Sequence, residues 1–239
     1  MLQRLYRALK LFRCYQDVTA FRPDGISTAL DFCMSRIIQP LQIRQELRQL
    51  VELVAERRPR NVLEIGTAHG GTLFLWCQFA DPRAKIVSLD LPDGAFGGGY
   101  SWKKILMYKA FAKPSQDLRL LRGDSHSKEM IERVEHIFPE GIDFLFIDGD
   151  HTYEGVKRDF EIYSPLVRNG FIAFHDIVPH APERNCGVDR LWLELRREYP
   201  HREIVDNWQQ GWAGIGVLMP DSPVNPSQPV TAPPINTQG

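Results

Sequence analysis

NVLEIGTAHGGT, residues 61–72, changes character halfway along. Val62, Leu63 and Ile65 make a short apolar run of strand type. Gly66, Gly70 and Gly71 then break it before a helical pattern over 71–80. A strand that turns through glycine into a helix is a unit of a parallel sheet, and such sheets bind ligands outside the carboxyl ends of their strands. Gly66 permits a tight turn, while Gly70 and Gly71 let a ligand approach the backbone at the helix N-terminus. The spacing is G-x-x-x-G, not the G-x-G-x-x-G of dinucleotide sites. A pyrophosphate needs that tighter cradle. A ligand carrying an amino acid does not, and Glu64 would suit its ammonium group.

Outward from this turn, apolar runs recur at 85–90, 118–123, 142–148 and 170–176. Helical patterns lie near 101–112, 126–137 and 152–167. The alternation predicts an α/β fold: a Rossmann-like, doubly wound, mostly parallel sheet with helices on both faces. After a further helix with Val188, Leu191, Trp192 and Leu195 on one face, REIVDN and AGIGVLM read as a closing antiparallel hairpin, because no helix fits between them. Upstream, Ile43, Leu47, Leu50, Val51 and Val54 mark a helix that Pro59 ends. The expected division is a helical extension over 1–58, a ligand-binding domain over 59–220 and a disordered tail over 221–239. Six prolines and no aromatic residue fall within 220–239.

Of the 239 residues, 29 are basic and 30 acidic, a balance that gives no reason to expect a nucleic-acid partner. Cys14, Cys33, Cys77 and Cys186 form no C-x-x-C pair, so neither a zinc site nor a disulfide framework is expected. No apolar run reaches the roughly 20 residues of a membrane span. Reduced thiols and a cytoplasmic location are the expectation. The first stretch, MLQRLYRALKLFR, sets Leu2, Leu5, Tyr6, Leu9 and Phe12 on one helical stripe among Arg4, Arg7, Lys10 and Arg13. A basic amphipathic helix can lie on a membrane. The favoured expectation is that it packs on its own domain or on a second subunit, making a homo-oligomer through the N-terminal helices.

Asp90 closes the second run, 26 residues after Glu64, where an acidic side chain can accept from both hydroxyls of a ribose. Gly123-Asp124-Ser125 ends the third, where a short polar side chain reaches an adenine edge. VLEIGTAHGG, SLD, GDS and FIDGDHTYEGVKRDFEIYSPLVRNGFIAFHD together resemble a class I S-adenosylmethionine-dependent methyltransferase. More narrowly, with GVDRLWLEL, they resemble the branch grouped with cephalosporin hydroxylase-like and macrocin O-methyltransferase-like proteins. The likeness covers roughly residues 45–219. Asn169-Gly170 stands where that branch usually has two glycines. The resemblance implies S-adenosylmethionine as cofactor, held by Glu64, Gly66, Thr67, Ala68, Gly70, Gly71, Thr72, Asp90, Leu91, Asp124, Ser125 and Asp148. It implies methyl transfer to a small hydroxylated molecule such as a sugar or polyketide.

In a sheet of this family the fourth and fifth strands are neighbours, roughly 4.8 Å apart. Asp148, His175 and Asp176 at their ends would then converge as a divalent metal site, for Mg²⁺ or, given the histidine, Mn²⁺ or another transition ion. Catechol-type O-methyltransferases place a metal from the same two strand ends, with a pair resembling Asp-Asn instead of His-Asp. They carry a catalytic lysine at the offset of His151, which makes His151 the candidate general base, with Asp148 beside it. His126 and His180 are further candidates. A plain turn at 148–150 and a polar strand end at 175–176 are the alternative. Asp93-Gly-Ala-Phe-Gly-Gly-Gly-Tyr100 reads as a lid. Trp102, Trp208 and Trp212 read as core or interface aromatics sooner than as pocket walls. An oxidative partner protein and a non-catalytic cofactor-binding protein stay open as alternatives.

Overall fold

The computed structural model describes residues 2–92 and 100–220. Residues 93–99 of the expected lid over 93–100, and the expected tail over 221–239, lie outside the described residues, while Tyr100 is buried with its hydroxyl donating to the Leu121 carbonyl. Among those described, seven strands make one sheet in the order β3-β2-β1-β4-β5-β7-β6. These are β1 (Asn61–Ile65), β2 (Lys85–Asp90), β3 (Asp117–Arg122), β4 (Ile142–Ile147), β5 (Val167–His175), β6 (His201–Ile204) and β7 (Ile215–Leu218). The pairs β1–β2, β1–β4, β2–β3 and β4–β5 are parallel, and β7 runs antiparallel to both β5 and β6. The chain order reverses between β1 and β4, so a crevice opens at their carboxyl ends.

The strands read as continuous apolar runs because both sheet faces are covered. Along β1, Val62 joins one core and Leu63 and Ile65 the other. The first core takes α2 (Ile26–Met34), α3 (Arg44–Arg57) and α4 (Gly71–Phe79), with Trp76 edge-on to Phe144 and Phe146. The second takes α6 (Lys128–Ile137), α7 (Tyr153–Tyr163) and α8 (Val188–Glu198). In α3, Leu47, Leu50, Val51 and Val54 are fully buried. The helix stops where Arg58 takes φ 49°, just before Pro59. The pattern over 152–167 yields a shorter helix, because Pro165 tightens residues 164–166 into a 3₁₀ turn. Likewise the pattern over 101–112 yields a 3₁₀ turn at Trp102–Lys104 and a short α5 (Ile105–Lys109). Asn169 takes φ 49°, a left-handed conformation that asparagine tolerates, and so can replace the glycine usual there.

The first helix, α1 (Leu2–Ala20), packs on the domain by a face other than the stripe read from the sequence. Its inward face is Leu11, Cys14 and Val18. Tyr6, Leu9 and Phe12, the stripe residues whose side chains are described, are each 58% exposed and do not pack on the domain. The apolar pattern was double-sided, and the shorter face won. Trp102, Trp208 and Trp212 are also exposed, which excludes the core half of the expectation that they are core or interface aromatics. All four cysteines are free thiols, and no described helix is long and apolar enough to cross a membrane.

Candidate functional site at the carboxyl edge

The loop after β1 is folded by close approach. A Cβ on Gly66, whose φ is 86°, would lie 2.0 Å from the Asp148 carbonyl oxygen, so only glycine lets β1 and β4 end side by side. The space beside Gly70 is filled by the Tyr108 ring, and that beside Gly71 by Ile38 and Pro40. These two glycines thus make room for protein on their Cβ side, while both also line the cavity above the loop. Thr67 and Ala68 donate their backbone N–H groups to Asp90 Oδ2 at 3.2 and 3.0 Å, latching the loop to the end of β2. Ala68 itself takes φ 45°.

Glu64 lies beneath this loop, fully buried. Its Oε2 accepts from Thr67 Oγ1 and its Oε1 from Trp76 Nε1, both at 2.8 Å. Burial pushes its carboxyl up to about 8, against the hydrogen bonds from Thr72, Thr67 and Trp76. The cavity above is lined by Gln39–Gln42, Gly66–Thr72 and Asp148, not by Glu64. Asp90 ends β2 and is not among the residues lining this cavity, and Leu91 beyond it is half exposed. Asp124 is exposed, its Oδ1 accepting from the His126 backbone N–H, and the Ser125 carbonyl accepts from Tyr163 Oη at 2.6 Å. His126 Nε2 stands 3.1 Å from Asp159, which is wholly buried on α7.

On the other side of Asp148 lies a compact cluster of acids and imidazoles. His175 Nδ1 is 3.1 Å from Asp148 Oδ1 and 3.5 Å from Asp176 Oδ1. His151 Nδ1 is 2.9 Å from Asp176 Oδ2, and its Nε2 3.5 Å from Asp148 Oδ1. His180 Nε2 adds a contact to Asp176 Oδ1 at 3.0 Å. Burial alone would hold both His151 and His175 neutral. The two carboxylates outweigh it, raising His151 to about 10 and His175 well above its ordinary value. Burial likewise opposes ionisation of Asp148 and Asp176, and the imidazolium groups, His175 foremost, hold both below the usual carboxylate range. Asp176 is fixed by a strained turn: its φ is 69° and its Oδ1 accepts from the Ala213 N–H at 2.9 Å.

One residue in this site went unseen in the sequence. Gln42, 7% exposed on the irregular segment between α2 and α3, donates Nε2 to Asp148 Oδ2 at 2.6 Å. Its amide oxygen has no hydrogen-bond partner among the described residues. No periodicity marks a residue in an irregular segment, so only the fold reveals it. Glu46, on α3, also went unseen, because a charged residue in a helix ordinarily reads as solvent-facing. Its buried carboxylate accepts from the Asp206 and Gly214 N–H groups and from Gln210, pinning the loop between β6 and β7.

Residues 63–177 match the family described as a methyltransferase domain. The strand order and the glycine loop agree with that match. Residues 63–177 are thus similar to a methyltransferase domain, and the fold is of the class I S-adenosylmethionine-dependent methyltransferase type. An uncharacterized protein of Sinorhizobium fredii is 31% identical over 147 residues, covering 60% of this chain and 16% of that protein. One from Acanthamoeba polyphaga mimivirus is 32% identical over 145 residues, covering 59% and 63%. The chain thus spans under two thirds of either curated relative. The methyltransferase fold also matches an O-methyltransferase from Bacillus cereus solved with SAH, at TM-score 0.57 and 18% identity, over 85% of this chain and 94% of that one.

Proposed function

We propose that this chain is an O-methyltransferase that moves the methyl group of S-adenosylmethionine to a hydroxyl of a small acceptor, with a divalent cation at Asp148, His175 and Asp176. The observation that carries the reading is the double position of Asp148. Its backbone carbonyl lies against Gly66 of the cofactor loop, and its carboxylate lies within the His175–Asp176 cluster. A methyl donor and an acceptor oxygen held on either side of that residue would be neighbours.

The donor set fits a cation: the ligand atoms of Asp148, His175 and Asp176 all lie within 4.8 Å of one another. Two carboxylates and an imidazole accept Mg²⁺ or Mn²⁺, and the nitrogen favours the latter. When bound, the cation would supply the positive charge that the two imidazolium groups now supply, and would lower the pKa of the acceptor hydroxyl. Metal binding displaces protons from such ligands. A cation on Asp148 and Asp176 would offset the two carboxylates that keep His151 protonated, and His151, once it has released that proton, could take the acceptor's proton at Nε2, since Nδ1 is held by Asp176. Gln42 orients Asp148 from the opposite side. Glu64, Thr67 and Asp90 shape the loop that carries the cofactor, Asp124 and Ser125 lie at its adenine end, and the transfer is a direct displacement in which positioning contributes most.

Isothermal titration with S-adenosylmethionine tests the first half of the reading, and absence of binding at millimolar ligand overturns it. Methyl transfer across a panel of sugars, polyketides and phenols tests the second. Asp148→Ala and chelation should each abolish turnover. Activity that survives both makes the enzyme metal-independent.

A further inference from the structure

Helix α1 is apolar on two opposite faces. Leu11, Cys14 and Val18 turn inward, and Tyr6, Leu9 and Phe12 turn outward at three-residue intervals. A helix with a second uncovered apolar stripe needs a second cover. The stripe does not stand alone, because α1 packs against α5. The segment holding α5 adds Trp102 and Leu106, which are 68% and 77% exposed. Five large apolar side chains are therefore exposed on α1, on the α5 that packs against it and on the 3₁₀ turn that leads into α5.

Charge on these elements is one-sided. Residues 1–16 contain Arg4, Arg7, Lys10 and Arg13, and residues 101–116 contain Lys103, Lys104, Lys109 and Lys113. Neither stretch contains an acid, in a chain whose net charge is −1. Lys109 and Lys113 donate to the carbonyls of Leu118 and Gln78 and belong to the domain. Lys10 and Arg13 are exposed beside the stripe, with Lys10 4.7 Å from the centre of the Tyr6 ring.

We propose that the outer face of α1, with Trp102 and Leu106, docks on an anionic lipid surface. Apolar side chains flanked by cations suit the boundary between acyl chains and negatively charged headgroups, where a tryptophan is also favoured. A second copy of the chain fits this face less well. Two-fold pairing of the stripes would set Lys10 and Arg13 against cations of the copy, with no acid from residues 1–16 to answer them. The inference is independent of the methyl-transfer reading, since it concerns a face on which no site residue lies.

The test is co-sedimentation of the full chain with vesicles of phosphatidylcholine alone and with vesicles that also contain phosphatidylglycerol. Binding is expected to the second kind only, and to weaken with salt. Lys10→Ala should lower the partition coefficient about fivefold, as one cation near such a surface does. The pair Leu9→Glu and Phe12→Glu should abolish binding, and because both side chains face outward the thermal unfolding of that variant should match the parent. No binding to anionic vesicles overturns the proposal, as does equal binding to both kinds or binding untouched by these substitutions. A dimer in free solution that the Leu9→Glu, Phe12→Glu pair dissolves, without lipid binding, overturns it in favour of a second copy.

Discussion

Replacing Glu64 by glutamine isolates the cost of a carboxylate buried beneath the loop after β1. Burial raises its pKa from an ordinary 4.5 to about 8. Between those values the side chain is neutral in the fold and ionised in the unfolded chain. The fold therefore loses stability as pH rises through 4.5, and the loss levels off above the folded value. At 1.36 kcal/mol per unit, the penalty reaches roughly 5 kcal/mol at its plateau and roughly 3 kcal/mol at pH 7. Glutamine carries no such penalty and can keep the local bonds. Its amide oxygen accepts from Trp76, and its amide nitrogen donates to Thr67 Oγ1, whose own hydrogen turns to Ser88 Oγ at 2.5 Å. Urea unfolding of parent and variant from about pH 5 to about pH 9 reads the difference. His151 and His175, raised in the fold, contribute stability that is present below 6.5 and lost as pH rises through their folded values. Subtracting one protein from the other cancels that slope. Glu64→Gln should gain on the parent steadily with pH, and a gap that stays constant refutes the reasoning. The same pair reads the ligand. A carboxylate turned away from the cavity costs little affinity, so the Kd for S-adenosylmethionine should move less than about threefold. A loss of order a hundredfold would put the cofactor's ammonium on Glu64.

Other outcomes follow from single contacts. Gly66→Ala should leave no folded protein, or one less stable by more than about 3 kcal/mol, because the new Cβ meets backbone at a positive φ; circular dichroism and melting decide it. Glu46→Ala should cost about 3 kcal/mol for its three lost bonds and speed hydrogen exchange at Asp206 and Gly214. Asp159→Asn should cost about 2 kcal/mol and return the His126 titration, followed by NMR, towards its ordinary value, since the Asp159 carboxylate 3.1 Å from His126 Nε2 is what raises it.

The sheet was legible because its strands are buried on both faces, and such strands announce themselves as unbroken apolar runs. NVLEI and KIVSLD correspond residue for residue to β1 and β2. The strand ends were legible for the same reason: Asp90, Asp148 and Asp176 stand where an apolar run stops. What could not be read was anything set by contact between distant segments. Gln42 reaches Asp148 across 106 residues of chain, and nothing in its neighbours signals it. The periodicity of α1 gave an apolar stripe without saying that a second stripe, Leu11, Cys14 and Val18, would win the core. The glycines at 70 and 71 were rightly read as demanding space, but sequence gives no hint that Tyr108, Ile38 and Pro40 take it.

Glu46 also sets the timing of folding. It leaves the ribosome 160 residues ahead of Asp206 and 168 ahead of Gly214, the groups it must bind. At roughly 5–20 residues per second, its carboxylate waits about ten to thirty seconds for its partners. The loop it pins is the one whose Ala213 holds Asp176. The loop after β1 and its latch on Asp90 can therefore be synthesised well before the segment that holds Asp176 in place.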